Sequence, residues 1–276
     1  METIGIDKIL SPGLPQIIIE DYQDRGLIAC DALVVIKSIG LLERSFLMAA
    51  CRYAQIRRPG DFNVGLQYGL FENRPHYYAS LEELVKVMME MEDDPLFPEG
   101  TNMVIYRGNP QAKLMIIGEA PGTEEDRLGK PFVGRSGKLL DQILESVGFD
   151  PEEDVFITNA VFRLPPGDGG KPLRKPTPDE IEFYKPFLLE IIRLVDPAIM
   201  LLSGNVATQS LLGLTGITKL RGQWFDWHGY PVMPIFHPAY LLRNPSRQPG
   251  SPKALMWQDI QEVRRRYDEI MAGEAS

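Results

Sequence analysis

From about residue 113 the chain alternates short continuous apolar runs with stretches in which apolar residues recur every three or four positions, the pattern of βαβ units that build a parallel sheet. Four runs read as strands: KLMIIG (113–118), VFITNA (155–160), AIMLLSG (198–204) and PVMPIFH (231–237). Helical patterns follow them. SGKLLDQILESVG places Leu139, Leu140, Ile143, Leu144 and Val147 on one face and ends at Gly148, a C-cap glycine. TPDE opens the next helix, with Thr177 and Glu180 as a capping box and Pro178 at the first helical position, and Pro186 predicts a kink. A short third helix is expected around GNVATQSLLG, and Ser251 with Pro252 opens a last one reaching to about Met271. LRGQWFDWHGYPV alternates like a small hairpin turning at Asp226 to Gly229.

Residues 1–100 follow a different pattern. DALVVIKSIGLLERSFLMAACRYAQI predicts one or two helices, and SLEELVKVMMEM another, capped by Ser80 and Glu83. DDPLFPEGTN (93–102) is the expected junction, which divides the chain into a mainly helical N-terminal extension, 1–100, and an α/β domain, 101–276. The stripe of Met88, Met89 and Met91 suits a core or a partner surface better than a cofactor.

Composition narrows the function. No apolar stretch reaches the roughly 18 residues that span a bilayer, so a cytoplasmic protein is expected. Cys30 and Cys51 sit in apolar surroundings without CxxC spacing and read as buried thiols, not as a metal site or a disulfide. The net charge of −9 argues against nonspecific coating of nucleic acid, yet −7 of it lies in residues 1–100, which leaves a local basic face open to the remainder.

In open parallel sheets ligands gather at the carboxyl ends of the strands, and the polar residues collect there: Glu119 after the first strand, Thr158 and Asn159 ending the second, Ser203 and Asn205 the third, His237 the fourth. The loop GEAPGTEEDRLGKPFVGRSG (118–137) looks built for phosphate, but Glu119, Glu124, Glu125 and Asp126 would repel an anion. It must hold something else.

Taken together, GEAPGTEEDRLGKPFVGRSGKLLD, ITNAVFRLPPG, RKPTPDEIEFYKPFLLEII and FHPAYLLRNP resemble the family 4 type of the uracil-DNA glycosylase superfamily, in order and spacing, over about residues 105–268. The resemblance implies a three-layer αβα fold around a four-stranded parallel sheet, and a loop that holds a flipped-out uracil. Phe132 matches the aromatic that stacks on the base. Asn159 matches the uracil reader, whose amide accepts from N3–H and donates to O4, whereas cytosine presents the inverse pattern. His237 matches the donor to uracil O2 as the leaving base gains charge. Glu119 is expected to orient water and Glu125 to lie beside uracil C5 against a thymine methyl group. Ala120 falls where family 1 enzymes carry an Asp. Taken singly, Asn159 reads rather as a helix cap, Phe132 as core and His237 as a structural histidine; their joint placement within the family's motifs favours the site.

The implied activity is hydrolysis of the N-glycosidic bond of uracil in DNA. The alternatives are another deaminated or modified base, or a non-catalytic module that binds DNA or a replication protein. Expected DNA contacts are Arg163, Lys171, Arg174 and Lys175 in the Pro/Gly-rich loop and Arg243 and Arg247 after HPAYLL, with Tyr240, Leu241 and Leu242 as the apolar wedge. Most members carry a four-iron, four-sulfur cluster on four cysteines. Here the matching positions are Arg163 and Tyr184, and the upstream pair has no counterpart, so no cluster, cofactor or metal is expected. Arg163 and Tyr184 are expected to stack or to pair with an acidic partner, with the N-terminal segment packed over that side. A monomer is expected, with a protein partner for the N-terminal segment.

Overall fold

The computed structural model describes residues 78–167 and 173–274, together with two short strands nearer the N-terminus, β1 (Ile18–Ile19) and β2 (Val34–Val35), which pair antiparallel. The helices expected across 31–56 fall outside the described residues except at β2, which is strand. Lys171 lies outside them too. The main body runs α1 (Leu81–Met89), β3 (Tyr106–Gly108), β4 (Leu114–Gly118), α2 (Thr123–Leu128), α3 (Arg135–Glu145), β5 (Val155–Asn159) and α4 (Pro178–Val195). It continues β6 (Ile199–Ser203), α5 (Asn205–Leu212), α6 (Ile217–Leu220), β7 (Phe225–Trp227), β8 (Tyr230–Ile235), α7 (Pro238–Arg243) and α8 (Pro252–Glu274).

The sheet has six strands in the order β3-β5-β4-β6-β8-β7. Its four central strands are parallel and are the four read from the sequence, while β3 and β7 add antiparallel edges. The expected count of four therefore falls short by two. β7 is the first arm of the anticipated hairpin, whereas β3 is only three residues long and carries Arg107 and Gly108 in place of an apolar signal.

Every residue of β4, β5 and β6 is buried, as expected for strands covered on both faces. Side chains alternate between two cores. Met115, Ile117, Phe156, Met200 and Leu202 join α1, α4 and α5 on one face. Leu114, Ile116, Val155, Ile157, Ile199 and Leu201 join α3, α7 and α8 on the other. This is the three-layer αβα arrangement.

The N-cap of α1 is Ser80, whose side chain accepts from Glu83 N–H, while Glu83 reaches back to the Ala79 N–H at 2.7 Å. Its apolar face seats Leu84 and Met88, both fully buried, in the core shared with α4. Each such burial stabilises by about 1.5–3 kcal/mol. Residues 81–96 thus pack into the same core as the sheet. The methionine stripe divides: Met88 and Met91 are core, and Met89 is exposed. The capping box of Thr177 and Glu180 is complete, and α4 runs through Pro186 to Val195. Among the described residues no helix is long and apolar enough to cross a membrane.

Candidate active site

The first functional side chains converge on Gly118, the last residue of β4. A Cβ there would lie 2.4 Å from Asn159 Oδ1 and 2.5 Å from Cε2 and Cζ of Phe132, so only glycine lets the amide and the ring meet over the strand end. Asn159 ends β5 beside Gly118 in register and is 1 % exposed. Its Oδ1 has no hydrogen-bond partner among the described residues. A buried polar atom left unpaired costs about 1–3 kcal/mol, and a donor that reached this oxygen would remove that cost.

Phe132 has φ 53°, a left-handed backbone that is strained for a bulky residue, and its ring is almost wholly buried. The helix α3 runs hard against it, since a Cβ on Gly137 would stand 1.7 Å from the Phe132 carbonyl oxygen. On its other side the Phe132 ring faces His237, with centroids 5.8 Å apart and planes tilted by 33°. Asn159 at the end of β5, His237 just after β8 and Phe132 in the loop between α2 and α3 are therefore brought together.

His237 is the N-cap of α7, and its Nδ1 accepts from the Ala239 N–H at 3.2 Å. That bond assigns the proton to Nε2, which has no partner among the described residues. Burial, with a smaller contribution from the Arg243 cation, lowers the imidazole pKa to about 4. At neutral pH the ring is thus an uncharged N–H donor. Such a donor faces developing negative charge without having to give up a full proton.

Glu119 continues the parallel pairing beyond β4, its carbonyl accepting from the Val161 N–H at 3.1 Å. Burial raises its carboxyl pKa, and the exposed Lys175 nearby offsets part of that rise. Ala120 packs partly buried against the core and offers no carboxylate. The acidic run forms the first turn of α2, where the helix dipole favours negative charge. Glu124 pairs with Arg127 on the surface, and Asp126 accepts from the Asn102 N–H at 2.6 Å. Glu125 is buried, and its Oε1 accepts from the Gly134 N–H at 2.8 Å. Cβ atoms on Gly122 and Gly134 would stand 2.6 and 3.0 Å from that carboxylate, so it ties the start of α2 to the end of the loop that carries Phe132.

Two expected DNA contacts are corrected by burial. Arg163 is 5 % exposed and its guanidinium is spent internally: Nε donates to Asp94 Oδ2 at 2.6 Å, Nη1 donates to the Thr101 carbonyl, and the Phe97 ring lies 5.3 Å away. Tyr184 donates its O–H to the other Asp94 oxygen. Leu241 is 1 % exposed and belongs to the core under α7, so it is no wedge. Its neighbours Tyr240 and Leu242 are exposed, as are Arg243, Arg247 and Lys175. Arg174 is engaged bidentately with Glu180. Sequence reasoning missed Asp94, which reads only as one more carboxylate in an acidic stretch. The two positions that resemble cluster cysteines thus meet through Asp94, and two cysteines in 276 residues cannot supply four thiolates. The residues present do not fit an iron–sulfur cluster.

At the carboxyl edge of the sheet an amide oxygen without a partner among the described residues, an aromatic ring and a neutral imidazole thus lie together. The sequence model of the uracil DNA glycosylase superfamily matches residues 105–261, and the chain belongs to that superfamily. It is similar to the type-4 uracil-DNA glycosylase of Thermotoga maritima, with 39% identity over 174 residues, 60% of this chain and 88% of the relative. The type-4 uracil-DNA glycosylase of Archaeoglobus fulgidus is 34% identical over 175 residues, 60% of this chain and 85% of the relative. That of Saccharolobus solfataricus is 40% identical over 153 residues, 52% and 68% respectively.

Proposed function

We propose that this protein is a uracil-DNA glycosylase that hydrolyses the bond between uracil and deoxyribose in DNA, leaving an abasic site. The observation that carries the reading is the Oδ1 of Asn159, unpaired among the described residues, meeting the Phe132 ring over Gly118. A uracil flipped from the strand stacks on Phe132, its N3–H fills the Asn159 oxygen, and its O4 accepts from the amide nitrogen. As the C1′–N1 bond breaks, its electron pair moves onto the base, and the neutral His237 donates from Nε2 to O2. One such donor contributes about 3 kcal/mol of transition-state stabilisation. Glu119 orients the water whose oxygen bonds to C1′, and the proton released passes to solvent or to the departing uracil. Glu125 shapes the rim through its clasp on Gly134, and from there disfavours a methyl group at C5.

DNA is the partner in this reading, met by Lys175, Arg243 and the exposed Tyr240. The protein acts as a monomer in the cytoplasm, residues 101–276 hold the catalytic unit, and the N-terminal extension serves a protein partner. Excision assays over uracil, thymine, hypoxanthine, xanthine and hydroxymethyluracil in otherwise identical oligonucleotides test the assignment. Uracil is expected to be released fastest; a different preferred base would move the activity to that lesion, and no release of any would leave a binding role.

A further inference from the structure

Arg107 lies in the edge strand β3 and is 5 % exposed, although it is an arginine beside the sheet's open margin. Its guanidinium does not serve the strand. Nε donates to the Pro131 carbonyl at 3.0 Å and Nη2 to the Phe132 carbonyl at 3.3 Å. Two carboxylates hold the fork in place: Nη1 donates to Glu152 Oε1 at 2.7 Å, and Nη2 also donates to Asp141 Oδ1, from α3. One buried cation therefore grips two successive carbonyls of the segment whose second residue has the left-handed backbone, φ 53°. The same Phe132 carbonyl is approached from the opposite element by Gly137 of α3.

We propose that Arg107 is a positioning residue for base excision, acting through Phe132. This rests on Phe132 being the stacking platform. A bulky residue leaves the left-handed region unless its surroundings over-determine it, and relaxation of φ swings the ring away from Asn159 and His237. The planar fork matters here: a lysine ammonium is a point charge that cannot serve two carbonyls and two carboxylates together. Arg107 itself touches neither base nor sugar. A cavity of about 460 Å³ beside Arg107 is lined by Asp141, Glu145, Asp150, Glu152 and Asp154 among others, and Asp141 and Glu152 supply the countercharge.

The test is a double-mutant cycle between Arg107→Met and Phe132→Ala, read by single-turnover excision of uracil from an oligonucleotide, with Arg107→Lys as the conservative variant. A misplacement of about 1 Å is worth on the order of a hundredfold in rate, so Arg107→Met is expected to excise about a hundredfold more slowly. Affinity for abasic-site DNA, which has no base to stack, is expected to stay within about twofold. In the Phe132→Ala background the same change should alter the rate by no more than about threefold. Equal losses in both backgrounds, or a fully active Arg107→Met protein, would overturn the proposal. Asp141→Asn, which loosens the fork without removing it, should show a smaller loss of the same kind. If the unaltered protein releases no uracil, the proposed function fails, and a crystal structure of Arg107→Met then decides the positioning role alone: residue 132 leaves the left-handed region, or the idea is wrong.

Discussion

Asp94→Ala is expected to destabilise the protein severely, and the reason lies in what remains behind. Asp94 is 2 % exposed and both its oxygens are occupied: Oδ2 takes the Arg163 Nε, and Oδ1 takes the Tyr184 O–H and the Leu96 N–H at 2.8 Å. Removing the carboxylate leaves a buried guanidinium with one carbonyl and one aromatic face. Breaking a buried pair from one side costs about 3–5 kcal/mol, because the surviving charge is uncompensated. For a body of this size each kcal/mol corresponds to about 2–4 °C, so the midpoint should fall by about 6–20 °C in a thermal melt followed by circular dichroism. Replacing the whole pair, Asp94→Leu with Arg163→Met, should recover most of that loss, since apolar side chains of similar volume commonly match a buried ion pair. A midpoint for Asp94→Ala within about 2 °C of the unaltered protein would refute the brace.

Gly118→Ala should fold and yet excise uracil about a hundredfold more slowly, because its methyl group would collide with Asn159 Oδ1 and the Phe132 ring; steady-state rates beside a melting curve check this. The pH profile should carry no limb near 6.5 from His237, whose folded pKa is about 4, and should instead lose activity on the acid side as Glu119, whose carboxyl pKa burial raises, takes up a proton. The His237 shift has a stability counterpart. Its folded pKa lies below the unfolded value of about 6.5, so its contribution of about 3 kcal/mol is complete above pH 6.5 and is lost as the pH falls toward 4. Denaturant melts at pH 7.5 and 5 should show a smaller pH effect in His237→Asn than in the unaltered protein.

The parallel core was legible because β4, β5, β6 and β8 are continuous apolar runs bounded by glycine, asparagine and histidine, and both faces of such strands must be covered. Asn159 and His237 were legible for a related reason, since each ends a strand, whereas Phe132, in the loop between α2 and α3, was legible only through the family resemblance. β3 was not, since three residues including an arginine and a glycine carry no period. Arg163 and Leu241 misled because sequence gives residue type and not depth. Arg163 misled only as a DNA contact: the acidic partner expected for it and for Tyr184 is Asp94, 69 residues from Arg163, and that pairing takes the guanidinium inside. Leu241 lies between two exposed residues on a helix, and only its packing against the second core separates it from them.

The central claim is that Asn159 and His237 convert this strand edge into a uracil-excising site. Its most direct test is cleavage of a uracil-containing oligonucleotide, single- and double-stranded, by the unaltered protein and by Asn159→Ala and His237→Ala, each confirmed folded. Alkali-labile breaks at uracil that nearly vanish in both variants are the expected result. Breaks that persist in both would contradict the account.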